Sequence, residues 1–459
     1  MRRLYFWAFV LVTAPACNKF LNKPANASLP SPTTVADFQA MMDQSSLTTW
    51  VTPGLGPVYV EDYRWAAAAS GFADSFSLGV YTWQPALFAS VIEASWSHPY
   101  AAIYTCNTVL ANLPQLDRLD SADAVAARFV MGQAFFLRAF MYYHLAETFG
   151  QPYRPATAST DMGVPLRINE NVMANAPRAS MLAVYQQIIS DLGRAIPRLP
   201  AALQAANRNR PCRGAAYGLL ARVWLTCQDY VKAQLYADSS LMSYDSLIDF
   251  NALDSTSLHP FSASGNSEVL FQCTALNYPL QYGRSVLIDS ALYNSYSPDD
   301  LRRVVFFQPV TSGMMAGNHY FKGEYSGLAY LFSGIAVDEI YFISAESKAW
   351  NGDLDGALSD VNTLLAKRWR SGRFLPYSAA GLTRDSVLHF VLAEKRKETV
   401  FREVRFYDLR RLNQYPAFAV TLSRVYGGQA FSLLPGSPRY AFPIPQQEID
   451  LSGVVQNPD

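Results

Sequence analysis

The chain has 459 residues, half of them hydrophobic and 14% aromatic, with 27 Tyr and 27 Phe. That composition excludes a disordered chain, and size alone allows about three domains at ~150 residues each. Thirty-seven Lys and Arg balance 37 Asp and Glu, so there is no positive excess to neutralise phosphates, and a nucleic-acid partner is excluded.

At the N-terminus, Arg2 and Arg3 precede an apolar run from Leu4 to Val12. The run is too short to cross a bilayer. Small residues follow it in Thr13-Ala14-Pro15-Ala16-Cys17, a pattern that predicts a lipoprotein signal peptide over 1–16. Cys17 would then carry acyl chains, palmitate among them. Each buried methylene contributes about 0.8 kcal/mol, so several chains anchor firmly. The alternative is an ordinary secretory signal and a coincidental cysteine. No other run reads as long and apolar enough to span a membrane, so the remainder is expected to be soluble.

Residues 17–30 read as a tether, and 31–459 as one domain. Its scaffold helices are expected at about 31–46, 88–245 and 336–415, with loop insertions at about 48–87 and 247–335. Ser31-Pro32-Thr33 offers an N-cap and a first-turn Pro for a helix through Met42. From Thr48 to Leu87 no helical period exists, but aromatics crowd the segment. Long loops of that kind are usually functional. Apolar residues then recur at threes and fours through Trp96–Leu110, Val125–Tyr143 and Tyr185–Leu192. Two helix pairs follow, over Cys212–Met242 with a joint at Gln228-Asp229 and over Val337–Trp369 with a joint at Asn351-Gly352-Asp353. Tyr217, Leu220, Ala221, Trp224, Tyr230, Ala233 and Ala237 fall near tetratricopeptide positions, and Ala345, Leu354 and Ala357 repeat the turn. Leu382–Leu412 is one long helix or a broken pair, and the Pro443-Ile444-Pro445 tail is a strap. The fold class is therefore mostly α, a tetratricopeptide-like α-α superhelix with long irregular loops.

Catalytic spacings are absent. The chain has no G-x-S-x-G, no phosphate-binding Gly loop and no C-x-x-C, and its five His are dispersed. No metal, cofactor or catalytic residue is assigned. Cys106, Cys212, Cys227 and Cys273 are expected to be mostly buried free thiols. Glu394 and Glu398 share a helix face, but Lys395, Arg396 and Lys397 would hold both ionised and spoil a general acid. That stretch reads as a solvated or internally paired helix. The ligand-binding candidates are Asp62, Trp65, Tyr81 and Trp83 in the first aromatic segment, and Tyr278, Tyr282 and Tyr320 in the second. Rings stack on sugar or peptide planes, and Asp62 would accept hydrogen bonds from hydroxyls.

In order, Cys17 with Phe20-Leu21, Trp96 through Asn107, and Phe136-Leu137-Arg138-Ala139-Phe140 with Tyr142-Tyr143 resemble the SusD/RagB family. So do Gly163-Val164-Pro165-Leu166, Val184-Tyr185 to Asp191-Leu192, Ala215-Ala216 through Ala233, and Ala345-Glu346 with Gly352 and Ala357. Glu394–Glu398 to Asp408-Leu409-Arg410-Arg411, Pro443-Ile444-Pro445, Glu448-Ile449 and Gln456-Asn457-Pro458 complete the series. The resemblance implies a cell-surface, outer-membrane lipoprotein of Bacteroidetes that binds a nutrient, usually a glycan. It further implies delivery to a TonB-dependent SusC-like transporter, without catalysis. Oligopeptide cargo is the alternative; a surface glycosidase or a protein-binding adaptor are further ones. Two departures, Lys395 and Lys397 where the family often has arginines, and the absence of a Glu-Gly step in Phe401–Arg405, are expected to touch scaffold rather than ligand site. No ligand residue carries over by motif.

Overall fold

A computed structural model describes residues 32–66, 74–87, 89–113, 121–171, 176–262, 265–278, 286–327 and 330–458. The signal peptide, Cys17, the tether and Tyr282 lie outside the described residues.

Helix α1 (Val35–Met42) begins later than Ser31-Pro32-Thr33 suggests. Thr34 is the cap: its hydroxyl accepts from the Asp37 N–H, and the Asp37 carboxylate accepts from the Thr34 N–H at 2.9 Å. This reciprocal box satisfies two donors that the helix end leaves open. The periodic segments form α2 (Glu93–Asn112), α3 (Ser121–Phe149) and α4 (Met181–Ala195). They continue as α5 (Arg213–Thr226), α6 (Tyr230–Ser243), α7 (Val337–Trp350) and α8 (Leu354–Leu365). The last segment is a broken pair, α9 (Arg384–Glu398) and α10 (Val404–Leu412), with Phe401 at φ 58° in the break.

The two predicted helix pairs turn by the same device. Gln228 (φ 62°) and Gly352 (φ 91°) take the left-handed conformation that ends the first helix. The next residue, Asp229 or Asp353, then caps the second helix by accepting from the N–H of Lys232 or Gly356. Small residues set the spacing. A Cβ at Gly218 would lie 2.8 Å from Ile335 Cγ2, and Ala221, Ala233, Ala237, Ala345 and Ala357 are buried. Neighbours pack in series: α2 on α3, α3 on α4, α5 on α6, α6 on α7, and α7 on both α8 and α9. Helix α3, against expectation, is long and apolar enough to cross a membrane, but 67% of its most apolar window is buried in the protein. Its Arg138 pairs with Asp191 of α4 at 2.7 Å. It is the central helix of the core.

The 48–87 segment is largely core rather than open loop. Val51, Leu55, Val58, Tyr59 and Trp83 are buried, and two short helices, Gly56–Tyr59 and Ser75–Tyr81, break it up. Its strand β1 (Tyr63–Trp65) pairs antiparallel with β2 (Val286–Ile288) from the second insertion. The C-terminal part adds a hairpin, β3 (Leu422–Tyr426) and β4 (Gln429–Leu433). Gly427 (φ 55°) and Gly428 (φ 78°) form its turn, because a two-residue turn matching strand twist needs positive φ at both positions. The tail is strapped to the end of α3: the Phe442 N–H donates to Thr148 O at 2.8 Å, and the Asn457 amide donates to Phe149 O and Phe442 O.

Of the two readings of α9, internal pairing is the one observed, and it is buried. Arg302 is fully buried and donates to Asp300, Glu394 and Glu398; Arg368 donates to Glu398 and Glu268; Lys395 reaches Glu346 and Asp408. Nearly all of these partners come from other segments, not from i,i+4 positions. Glu268, Asp338 and Glu398 lie close enough to share a cation, but Arg368 and Arg402 already supply that charge. Cys106, Cys212 and Cys273 are buried free thiols, and Cys227 is a half-buried one.

Candidate functional site

A cleft of about 990 Å³ opens between β1, the short helix Ser290–Asn294 after β2, the C-terminal part of α9 and the β3–β4 hairpin. That volume suits a ligand of several rings. One wall is aromatic. Trp65 lies parallel to Tyr426 of β3, with centroids 6.2 Å apart and 12° between planes, and meets Tyr81 edge-on at 5.7 Å. The hairpin is locked onto this wall by Arg424. Its guanidinium stands 4.7, 4.6 and 4.9 Å from the rings of Tyr63, Tyr81 and Trp83. It also donates to the carbonyls of Val58, Val60 and Tyr81. Cation–π contacts of this kind strengthen when desolvated, and Arg424 is only 6% exposed, with its Nε–H lacking an acceptor.

The facing wall is ionic. Successive helix residues point about 100° apart, so Lys395, Arg396 and Lys397 part company. Lys395 enters the core, while Arg396 and Lys397 line the cleft. Arg396 Nε donates to Asp62 Oδ1 at 2.8 Å and its Nη1 lies 3.4 Å from Glu61. Glu61 also accepts from Arg405 Nε at 3.1 Å. Burial would raise the Glu61 carboxyl, but Arg405 and Arg396 outweigh it and hold it down at about 2. Lys397 pairs with Glu394. On the rim, Arg64 Nη2 donates to Asn318 Oδ1 at 2.8 Å, and the Asn318 amide donates to Met315 O at 2.9 Å. Asp289 accepts from the N–H groups of Ala291 and Leu292, capping its helix.

The cleft thus joins two of the expected ligand residues, Trp65 and Tyr81. Asp62 stands behind Arg396, 1% exposed and committed to that guanidinium rather than presented to a ligand. Trp83 is wholly buried beneath Arg424, its indole N–H donating to Tyr59 O at 3.0 Å. Tyr278 is buried elsewhere, stacked on Phe76 and hydrogen-bonded to Ser95. Tyr320 sits half-buried on a ribbon opposite Gln308 and does not line the cleft. Arg64, Arg396, Lys397 and Arg424 also line the cleft and are not among the sequence-based candidates. The Gly427-Gly428 pair is the available signal for the hairpin; nothing local marks Arg396. Of the two lysine departures, Lys395 lies in the core and Lys397 lines the cleft.

Residues 19–225 match a SusD-like family described as starch-binding and associating with the outer membrane, and residues 338–459 match the SusD family. SusD-like protein P2 of Formosa agariphila is 28% identical, over 70% of this chain and 72% of its own. The crystal structure of a SusD superfamily protein from Bacteroides thetaiotaomicron covers 93% of this chain and all of its own, with 19% identity and a TM-score of 0.76. That of a SusD-like carbohydrate binding protein from Bacteroides vulgatus covers 91% and 96%, with 19% identity and a TM-score of 0.67. The shared architecture is the helical, tetratricopeptide-like fold described above.

Proposed function

Because the chain belongs to the SusD/RagB family, we propose that it is a nutrient-binding protein of the outer membrane that captures an oligosaccharide in the cleft. The observation that carries this reading is the pairing of walls around about 990 Å³: rings of Tyr63, Trp65 and Tyr81 on one side, charged and hydroxyl groups on the other. A sugar ring has the same two faces. Its C–H face packs on an aromatic ring, and its hydroxyls need donors and acceptors at the rim.

In this reading residues 1–16 are removed, Cys17 carries the lipid anchor, and 31–459 act as one unit facing outward from the cell. The protein is non-catalytic and passes its cargo to a TonB-dependent SusC-like transporter. The supporting chemistry for a non-catalytic role is that, of the two acids lining the cleft, Glu61 is held down by Arg405 and Arg396, and Asp289 is engaged by the N–H groups of Ala291 and Leu292. A carboxylate so held is a poor proton donor.

A thermal-shift screen against oligosaccharide and peptide panels tests the reading, since a ligand of the native state alone raises stability with ln(1 + [L]/Kd). A shift with one sugar class, reduced by Trp65→Ala, is the expected result. Shifts with peptides alone would replace the cargo, and no shift in any panel would overturn capture in this cleft.

A further inference from the structure

Resting on the reading that the cleft holds an oligosaccharide, we propose that it selects one bearing an anionic substituent, a carboxylate or a sulfate ester, received by Arg64. The whole chain is neutral, with 37 cations and 37 anions, but the cleft is not. Charges on the α9 wall cancel: Glu61 is shared by Arg396 and Arg405, Arg396 also holds Asp62, and Lys397 holds Glu394. Three lining charges remain. Asp289 is engaged by two backbone N–H groups at the start of its helix. Arg64 and Arg424 form no ion pair with any carboxylate among the described residues.

The two arginines divide the work. Arg424 is 6% exposed, sandwiched by three rings and facing only carbonyls, with an unsatisfied Nε–H. Carbonyl dipoles and ring faces hold it in place without cancelling its charge. A cation in a low-dielectric wall projects its field into the adjoining cleft. Arg64, by contrast, is exposed on the rim. Asn318 takes one Nη2 hydrogen and is itself fixed by Met315 O, so the guanidinium is oriented while its other donors have no acceptor among the described residues. A planar fork with free N–H groups matches the oxygens of a carboxylate or sulfate. Neutral hydroxyls would be served by Ser295 and Ser423, which line the same cleft, and need no surplus cation.

The test is calorimetric titration of the full chain with three oligosaccharide panels, neutral, uronate-containing and O-sulfated. Expected is binding to acidic members at least about tenfold tighter than to neutral ones, weakening as salt rises from about 50 to 500 mM. Arg64→Ala should remove about tenfold of that affinity without lowering the melting temperature, and Arg64→Lys should restore part of it. The uronate and sulfate arms identify which anion is read. Neutral sugars binding as tightly as acidic ones, or Arg64→Ala without effect, would overturn the anion inference and leave oligosaccharide capture standing. Binding to no panel would overturn the capture reading itself, and this inference with it.

Discussion

Arginine meets carboxylate in two places, and the two are built differently. Around Arg302 and Arg368 the groups are shut away from water, and each guanidinium has at least two acids. Around the cleft, Arg396 is matched by Glu61 and Asp62, while Arg64 and Arg424 are left over. Taking a charge out of water costs several kcal/mol, which only well-placed opposite charges or dipoles offset. A dry ion must therefore be held, by opposite charges in the layer or, at Arg424, by carbonyls and ring faces. An open cleft need not balance its charges, because water or a ligand completes the set. Matched charge marks structure here, and in the proposed reading surplus charge marks the place where the ligand binds.

The sharpest way to break this contrast is Arg302→Met. It removes a cation from three buried acids and leaves Asp300 with none, and should cost about 3–5 kcal/mol in urea unfolding; a loss below ~1 kcal/mol would mean the layer does not act through its charges. Trp83→Ala should cost a similar ~3–5 kcal/mol by opening a void under Arg424. Half-buried Tyr426→Ala removes the ring stacked on Trp65 of the cleft wall, and should lower stability much less and ligand affinity more. Equal stability losses would mean that Tyr426 is core and not a support for the cleft wall.

pH separates the two regions further. The Glu61 carboxyl is held at about 2 by Arg405 and Arg396. Its stabilisation is therefore present above the unfolded value near 4.5 and lost as pH falls toward 2. Burial instead pushes the core carboxyl of Glu324 up to about 8. The folded state then keeps a proton that the unfolded chain has released, so stability falls between about pH 4.5 and 8, by at most ~1.4 kcal/mol per pH unit. Chemical unfolding across this range should show both slopes. Glu61→Gln should flatten the acid limb alone, and Glu324→Gln the other. The smallest effect belongs to the hairpin turn. Gly428 sits at φ 78° with open space where a Cβ would go, so Gly428→Ala should cost only the backbone strain, about 1 kcal/mol, in a melting experiment.

Much of the scaffold was legible in the sequence, because a helix is written locally. The 3.6-residue period placed α2 to α8, and the Asp caps at Asp229 and Asp353 follow turn positions visible in the chain. The family was legible too, from motifs whose order runs the length of the chain. The broken pair after Glu398 was left open, since the break depends on Phe401 tolerating a left-handed conformation.

By itself, the sequence determined where helices run, how paired helices turn and which family the chain joins. Only the tertiary structure decided which rings and ions face the cleft. Trp65 and Trp83 lie in one aromatic segment and look alike there; one lines the cleft and the other is sealed beneath Arg424. Lys395, Arg396 and Lys397 are consecutive, yet one supports the core and the others the site. Exposure belongs to whatever covers a side chain, and Arg424 reaches Tyr81 from 343 residues away. No local pattern records that contact.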